Sequence, residues 1–217
     1  RVFICGDAAH LWIPHAGYGM NAGIADADNL GWMLAAVLNG WAEPAMLGAY
    51  QAERQPITDQ VSKFAFKMSQ DNSKQRREIP AEIEQDSPAG DAARAVIGKQ
   101  ARDLYIQQQC CGGLNFGYFY EGSPIIAYDE GNPPSYDMAT FTPSTVPGCR
   151  TPHIWLRNGR SLYDALGPWL SLLRFDPAAN VEPLIDAARQ RGLPLAVLNV
   201  ESDEAAALLG AHPEIAE

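Results

Sequence analysis

Between Met20 and Val37 the apolar residues Met20, Ile24, Ala27, Leu30, Leu34 and Val37 fall three and four positions apart. That period gathers them on one face of a helix, and a helix this long limits what else the chain can do, because its apolar face must be covered. Asn39-Gly40 closes it, with Gly in the place past a helix end where the backbone turns left-handed. The stretch ahead of it has another character. Val2-Phe3-Ile4-Cys5 is a short apolar run ending at Gly6-Asp7, the pattern of a buried strand feeding a loop. Leu11 to Gly19 is rich in Gly, Pro and His and reads as loop. Strand, loop and long helix in that order predict an α/β fold.

A second helix is expected over Leu47 to Glu53, continuing or kinking at Pro56, with Ile57, Val61, Phe64 and Met68 as its buried stripe. Residues 69–90 are polar and hold Pro80 and Pro88, so they predict a surface excursion with at most a short helix. Another helix is expected from about Asp91 to Gln109. Residues 112–146, dense in Gly, Pro, Tyr and Ser, predict an irregular connector with short strands such as Pro124 to Tyr128. From Pro152 a separate small unit begins. Trp169 to Phe175 reads as a strand, Val181, Leu184, Ile185 and Ala188 as an amphipathic helix ending at Arg191-Gly192, and Pro194 to Val200 as a second strand. Strand, helix and strand so close together imply a parallel pair with a right-handed crossover. Ser161-x-x-Asp164 resembles a capping box, with Asp in place of Glu or Gln.

Composition narrows the function classes. A net charge of −10 over 217 residues argues against a nucleic-acid binder, which needs clustered Lys and Arg. With 47% hydrophobic and 19% charged residues the chain has the make-up of an ordinary globular protein. No apolar run reaches the roughly 18 residues of a membrane span, so no membrane partner is expected. Cys5, Cys110, Cys111 and Cys149 form neither a C-x-x-C pair nor a zinc spacing, and reduced thiols with a cytoplasmic location are the expectation. Opening at Arg1, in mid-strand, and stopping after a helix-like stretch, the chain reads as a fragment that lacks an N-terminal part.

The chemistry concentrates in Gly6-Asp7-Ala8-Ala9-His10, Pro14, Gly17, Gly19 and the start of the long helix at Met20-Asn21. A strand ends at a carboxylate, Asp7, able to accept hydrogen bonds from a polyol. Gly17 and Gly19 lack Cβ atoms, so their backbone can approach a flat ligand. The amides near Gly19, Met20 and Asn21 open a helix, whose partial positive charge favours an anion. A planar ligand with hydroxyls on one side and developing negative charge on the other suits this site, and a flavin, whose reduced form carries charge over N1 and the C2 carbonyl, is such a ligand. His10 and His15 lie in a loop without a companion ligand set, so no metal is expected. Glu53-Arg54 reads as a structural ion pair, and Trp12 as core or pocket lining.

Gly6-Asp7-Ala8-Ala9-His10 with Pro14, Gly17-Tyr18-Gly19-Met20-Asn21, Gly23, Asp26 and Asn29-Leu30-x-Trp32-x-Leu34 resembles the second FAD motif of the para-hydroxybenzoate hydroxylase superfamily. Tyr50-x-x-Glu53-Arg54-x-Pro56 resembles that superfamily's next signature. Pro147-Gly148-x-Arg150-x-Pro152-His153 and Gly159-Arg160-Ser161-Leu162-Tyr163-Asp164 resemble its phenol hydroxylase branch, whose C-terminal domain is thioredoxin-like. The resemblance implies the C-terminal part of an FAD-binding domain over 1–110, a connector over 111–150 and an incomplete thioredoxin-like domain over 151–217. It implies FAD bound through Gly6, Asp7 (on the ribityl chain), Pro14 (beside the ring), Gly17, Gly19, Met20 and Asn21 (at the N1 and O2 edge). It implies NADH or NADPH as reductant, O2, a flavin C4a-hydroperoxide and a phenolic or other small aromatic substrate, with a polyketide or another non-phenolic ring as the alternative. His15 and Ala16 depart from the usual loop pattern, where small or hydroxyl residues and Gly stand. The family's G-x-G-x-x-G motif is absent from this sequence, and no residue is assigned as catalytic acid or base. Without C-x-x-C the βαβ unit has no disulfide chemistry to offer, so by analogy of fold its role is interaction or dimerisation, with a homodimer as a candidate assembly. A chain serving only as an association or folding module is the non-enzymatic alternative.

Overall fold

The structure, a computed structural model, describes residues 1–209. A 3-10 turn at Gly6–Ala8 precedes α1 (Tyr18–Leu38), and a second at Pro44–Gly48 leads into α2 (Ala49–Arg77). A third at Ala81–Glu84 precedes α3 (Pro88–Gln109) and α4 (Gly112–Phe116). After a long irregular stretch come α5 (Leu162–Ala165), β1 (Leu170–Arg174), α6 (Glu182–Gln190), β2 (Leu195–Asn199) and α7 (Ser202–Leu209). The last residues of the expected third domain, 210–217, lie outside the described part. The described residues form two compact units: Arg1–Ala27 with Arg54–Phe116 and Asp137–Phe141, and Asp28–Glu53 with Gly117–Tyr136 and the described residues from Thr142 onward. No helix among the described residues is long and apolar enough to cross a membrane.

In the first unit the stripe read from the sequence is in place. Val61, Phe64 and Met68 of α2 are buried with Cys111 and Leu114, and Trp12, Ala16, Tyr18, Leu104 and Met138 pack around them. This core thus reaches the loop that enters α1. Residues 137–141 lie along α4: the amides of Gly112 and Leu114 donate to the carbonyls of Ala139 and Met138, each at 3.0 Å. Gly113 makes that contact sterically feasible, since a Cβ there would fall 1.6 Å from the Asp137 carbonyl oxygen. Helix α3 begins at Ser87, whose Oγ accepts from the Gly90 amide at 3.2 Å, with Pro88 in the first turn.

Three expectations need correction here. Val2–Cys5 is not a strand, and Val2 is 91% exposed. A strand needs a neighbouring ladder, and the sheet among the described residues consists of β1 and β2 alone. The polar excursion predicted from residue 69 is helical to Arg77, supported by Lys67–Asp71, an i,i+4 pair. The inward face of α1 is also rotated from the apolar stripe. Ala22, Asp26, Asn29, Leu30, Met33 and Ala36 are buried, while Met20 and Ile24 stand exposed. The inner face mixes apolar Leu30 and Met33 with Asp26 and Asn29, which go inward because they are hydrogen-bonded there.

In the second unit α1 ends as its sequence foretells. Gly40 adopts φ +74°, its amide donates to Val37, and the Trp41 amide reaches back to the Ala36 carbonyl at 2.8 Å, a Schellman arrangement. The β1–α6–β2 segment pairs β1 and β2 in parallel, with Leu170 opposite Leu195 and Arg174 opposite Asn199. Leu156, Leu162, Val200 and Ala205 form its core. Ser161 caps α5, its Oγ accepting from the Tyr163 amide at 3.2 Å, which is the serine half of the expected capping box. The strand expected at Pro124 to Tyr128 does not form. That segment folds on itself, with the Ile126 amide on the Ser123 carbonyl and the Tyr128 hydroxyl accepting from the Ser123 amide.

Candidate functional site

Gly6 opens the site with a left-handed φ of +56°. Its carbonyl accepts the amides of Ala9 at 2.8 Å and His10 at 3.0 Å, which bends residues 6–10 into a tight turn. The turn rests directly on α1: a Cβ added at Gly23 would meet the Gly6 Cα at 3.2 Å. Asp7 and Pro14 are exposed, as are Gly17, Met20 and Asn21, whereas Gly6 and Gly19 are half-buried. Every residue singled out for the site is thus accessible, and Gly6, Asp7, Pro14, Gly17, Gly19, Met20 and Asn21 lie in one unit.

The loop into α1 has an unusual backbone. Ala16 and Gly17 are both left-handed, with φ of +58° and +72°. The helix starts at Tyr18, two residues earlier than the apolar period suggested. The amides of its first turn, Gly19 and Met20 among them, have no intrahelical acceptor by helix geometry. Asn21 lies one step further in, and its side-chain amide donates back to the Gly17 carbonyl at 2.8 Å. Above the loop the space is open. A Cβ at Gly17 would meet nothing within 4 Å, and one at Gly19 would only graze Trp12 Nε1 at 4.0 Å. His15 Nδ1 is buried and has no hydrogen-bond partner among the described residues, so this loop also holds unmet polar capacity.

Beneath the turn lies Asp26, which the sequence reading named in the motif without giving it a role. Asp26 is 1% exposed. Its Oδ2 accepts from the Gly6 amide at 3.1 Å and contacts His10 Nε2 at 2.7 Å, and its Oδ1 accepts from Arg54 Nε at 2.9 Å. Burial pushes the carboxyl's pKa up, but the hydrogen bonds from Arg54, His10 and Gly6, with the Arg54 charge, together hold it below the ordinary value. An ionised carboxylate accepts only, so His10 presents an N–H at Nε2. The His10 ring stacks on Trp12, with centroids 4.6 Å apart and planes 4° apart. The Glu53–Arg54 ion pair expected from the sequence is not the arrangement seen. Arg54 serves Asp26, while Glu53 accepts from Asn29 Nδ2 at 2.8 Å and from the Ser123 hydroxyl at 2.6 Å, both within its own unit. The signal for Asp26 was a charged residue in helical phase with Ala22, Leu30 and Met33, a position buried only when paired.

A glycine-opened loop at a helix start beside an exposed carboxylate can seat a flat, polyol-bearing anion. Residues 1–65 match the FAD binding domain family. Over 215 residues the chain is 34% identical to an FAD-dependent monooxygenase of Emericella nidulans, covering 94% of this chain and 34% of that protein. It is 34% identical over 163 residues to a putative polyketide hydroxylase of Streptomyces halstedii, covering 75% and 25% of the two chains. The structure of the rebeccamycin biosynthetic enzyme RebC with reduced flavin superposes with a TM-score of 0.82 at 34% identity, covering 96% of this chain and 38% of the other. The chain thus spans between about a quarter and two fifths of the length of these relatives. Motifs, family match and structural likeness together show that residues 1–65 have the sequence of an FAD binding domain and that the chain is similar to FAD-dependent monooxygenases.

Proposed function

We propose that residues 1–27 hold the polyol and ring-edge side of FAD in a monooxygenase that hydroxylates a phenolic or related aromatic ring with NADH or NADPH and O2. The observation that carries this reading is the pair of open glycines, Gly17 and Gly19, ahead of α1 with Asp7 exposed nearby. Asp7 accepts a hydroxyl of the ribityl chain, with Gly6 shaping the turn that presents it. Gly17 and Gly19 let the flat ring lie against backbone. The amides of Gly19 and Met20, with Asn21 behind them, set the positive start of α1 against the N1 and O2 edge, where they favour negative charge without a charged side chain. Pro14 lines the ring on the substrate side. Bound and reduced, FAD supplies the electrons with which O2 delivers one oxygen atom to the ring and the other to water. We read β1–α6–β2 as the start of a thioredoxin-like domain with an associating role.

A second reading, a polyketide or another non-phenolic ring as substrate, is supported by the likeness to the Streptomyces halstedii protein. Substrate-stimulated NAD(P)H oxidation by the full natural chain, across single-ring phenols and polyketide or other non-phenolic rings, separates the two. Stimulation by single-ring phenols with a hydroxylated product is the expected result. Stimulation by the polyketide or non-phenolic compounds alone selects the second reading, and indifference to every compound removes both.

A further inference from the structure

The turn that carries Asp7 is held from below by groups to which the proposed function gives no part. Gly6 is fastened at both ends: its carbonyl accepts from Ala9 and His10, and its amide donates to Asp26 Oδ2 at 3.1 Å. The same Oδ2 takes His10 Nε2 at 2.7 Å, so one buried oxygen binds the first and last residues of the 6–10 turn. Arg54, from α2, fixes the other oxygen at 2.9 Å, which leaves the carboxylate little freedom to rotate. The Gly6–Gly23 approach brings the turn onto the same helix that carries Asp26. A shift in any of these groups moves Gly6, and Asp7 follows Gly6 directly in the chain.

We propose that Asp26 is a positioning residue for cofactor binding: with Arg54 and His10 it fixes the Gly6–His10 turn on α1 so that Asp7 meets the polyol hydroxyls. This rests on the reading of Asp7 given above. Asp26 touches no ligand in this scheme and acts only through the turn, so its effect on affinity must pass through Asp7.

A double-mutant cycle on FAD dissociation, measured by flavin fluorescence with the full natural chain, tests that dependence. Asp26→Asn is expected to weaken FAD binding about tenfold in the natural background and by less than about twofold where Asp7 is already Ala. An equal factor in both backgrounds overturns the proposal, because it would mean that Asp26 acts by general stability. If Asp7→Ala alone leaves FAD affinity unchanged, the reading of Asp7 fails and the proposal falls with it, an outcome distinct from the equal-factor one. Should Asp26→Asn not fold, Gly23→Ala carries the same test. Ala is the better helix former, and its Cβ, 3.2 Å from the Gly6 Cα, displaces the turn by a few tenths of an ångström without touching the charges. The same coupling to Asp7 is expected, and its absence overturns the proposal equally.

Discussion

Ala16 stands in a conformation better suited to glycine. At φ +58° an L-residue carries a penalty of roughly 1–2 kcal/mol, partly offset because Gly loses about 0.5–1 kcal/mol more entropy on folding. Ala16→Gly is therefore expected to stabilise the protein by about 0.5–1 kcal/mol, read as a raised urea midpoint with an unchanged slope. A lowered midpoint would mean that the Ala16 methyl group matters more to the core beside it than its backbone strain. Asp7 is the opposite case, an exposed side chain whose loss leaves the fold alone. Asp7→Ala should keep the urea midpoint and weaken FAD retention about tenfold, roughly one charge-assisted hydrogen bond; unchanged flavin content would remove Asp7 from the site. At this scale the sequence was legible where a residue's job is local. Glycines that relieve backbone and a carboxylate after a turn announce themselves. Asp26 did not, because its meaning depends on Gly6, His10 and Arg54 arriving from three places in the chain.

Among the elements, helices were legible and their orientation was not. The period of α2 placed Val61, Phe64 and Met68 in the core correctly, and Asn39-Gly40 marked the end of α1. For α1 the buried face is turned from the apolar stripe at its first turns, where Met20 and Ile24 are exposed, since Asp26 and Asn29 go inward for hydrogen bonds that hydropathy cannot count. That buried carboxylate also sets an acid limb. Its folded pKa lies below the ordinary 3.8, so the network's contribution is complete above that value and is lost as pH falls through the folded pKa. Asp26→Asn takes away Arg54's carboxylate and should cost about 3–5 kcal/mol near neutrality. The gap to the natural protein should narrow in urea titrations as pH drops below about 4, and a gap independent of pH would show that Asp26 is not ionised in the fold. Gly113 governs a second junction. Its Cβ position lies 1.6 Å from the Asp137 carbonyl oxygen, so Gly113→Ala should destabilise by about 1–3 kcal/mol through overpacking, although Ala favours helix. A neutral result would show that residues 137–141 can lift away from α4 at no cost.

For the molecule as a whole, the proposed function brings a chain of 217 residues with a net charge of −10 against a cofactor that itself carries a pyrophosphate. Two like-charged bodies need local donors where they meet, and amides at a helix start supply them without adding basic residues. The first turn of α1 can serve one anionic edge in this way. The pyrophosphate needs a second such place, and the motif that usually provides it, G-x-G-x-x-G opening a helix, does not occur in this sequence. The polyol and ring-edge contacts alone offer a few hydrogen bonds of about 1 kcal/mol each, against an association cost of at least roughly 4 kcal/mol. Flavin fluorescence should therefore stay unquenched when these 217 residues alone are titrated with FAD at about 10 µM, and quenching should appear with the full natural chain. Quenching by the 217-residue chain at that concentration would mean that a pyrophosphate seat lies within it. The first turn of α3, capped by Ser87, would then be the next helix start to probe by substitution.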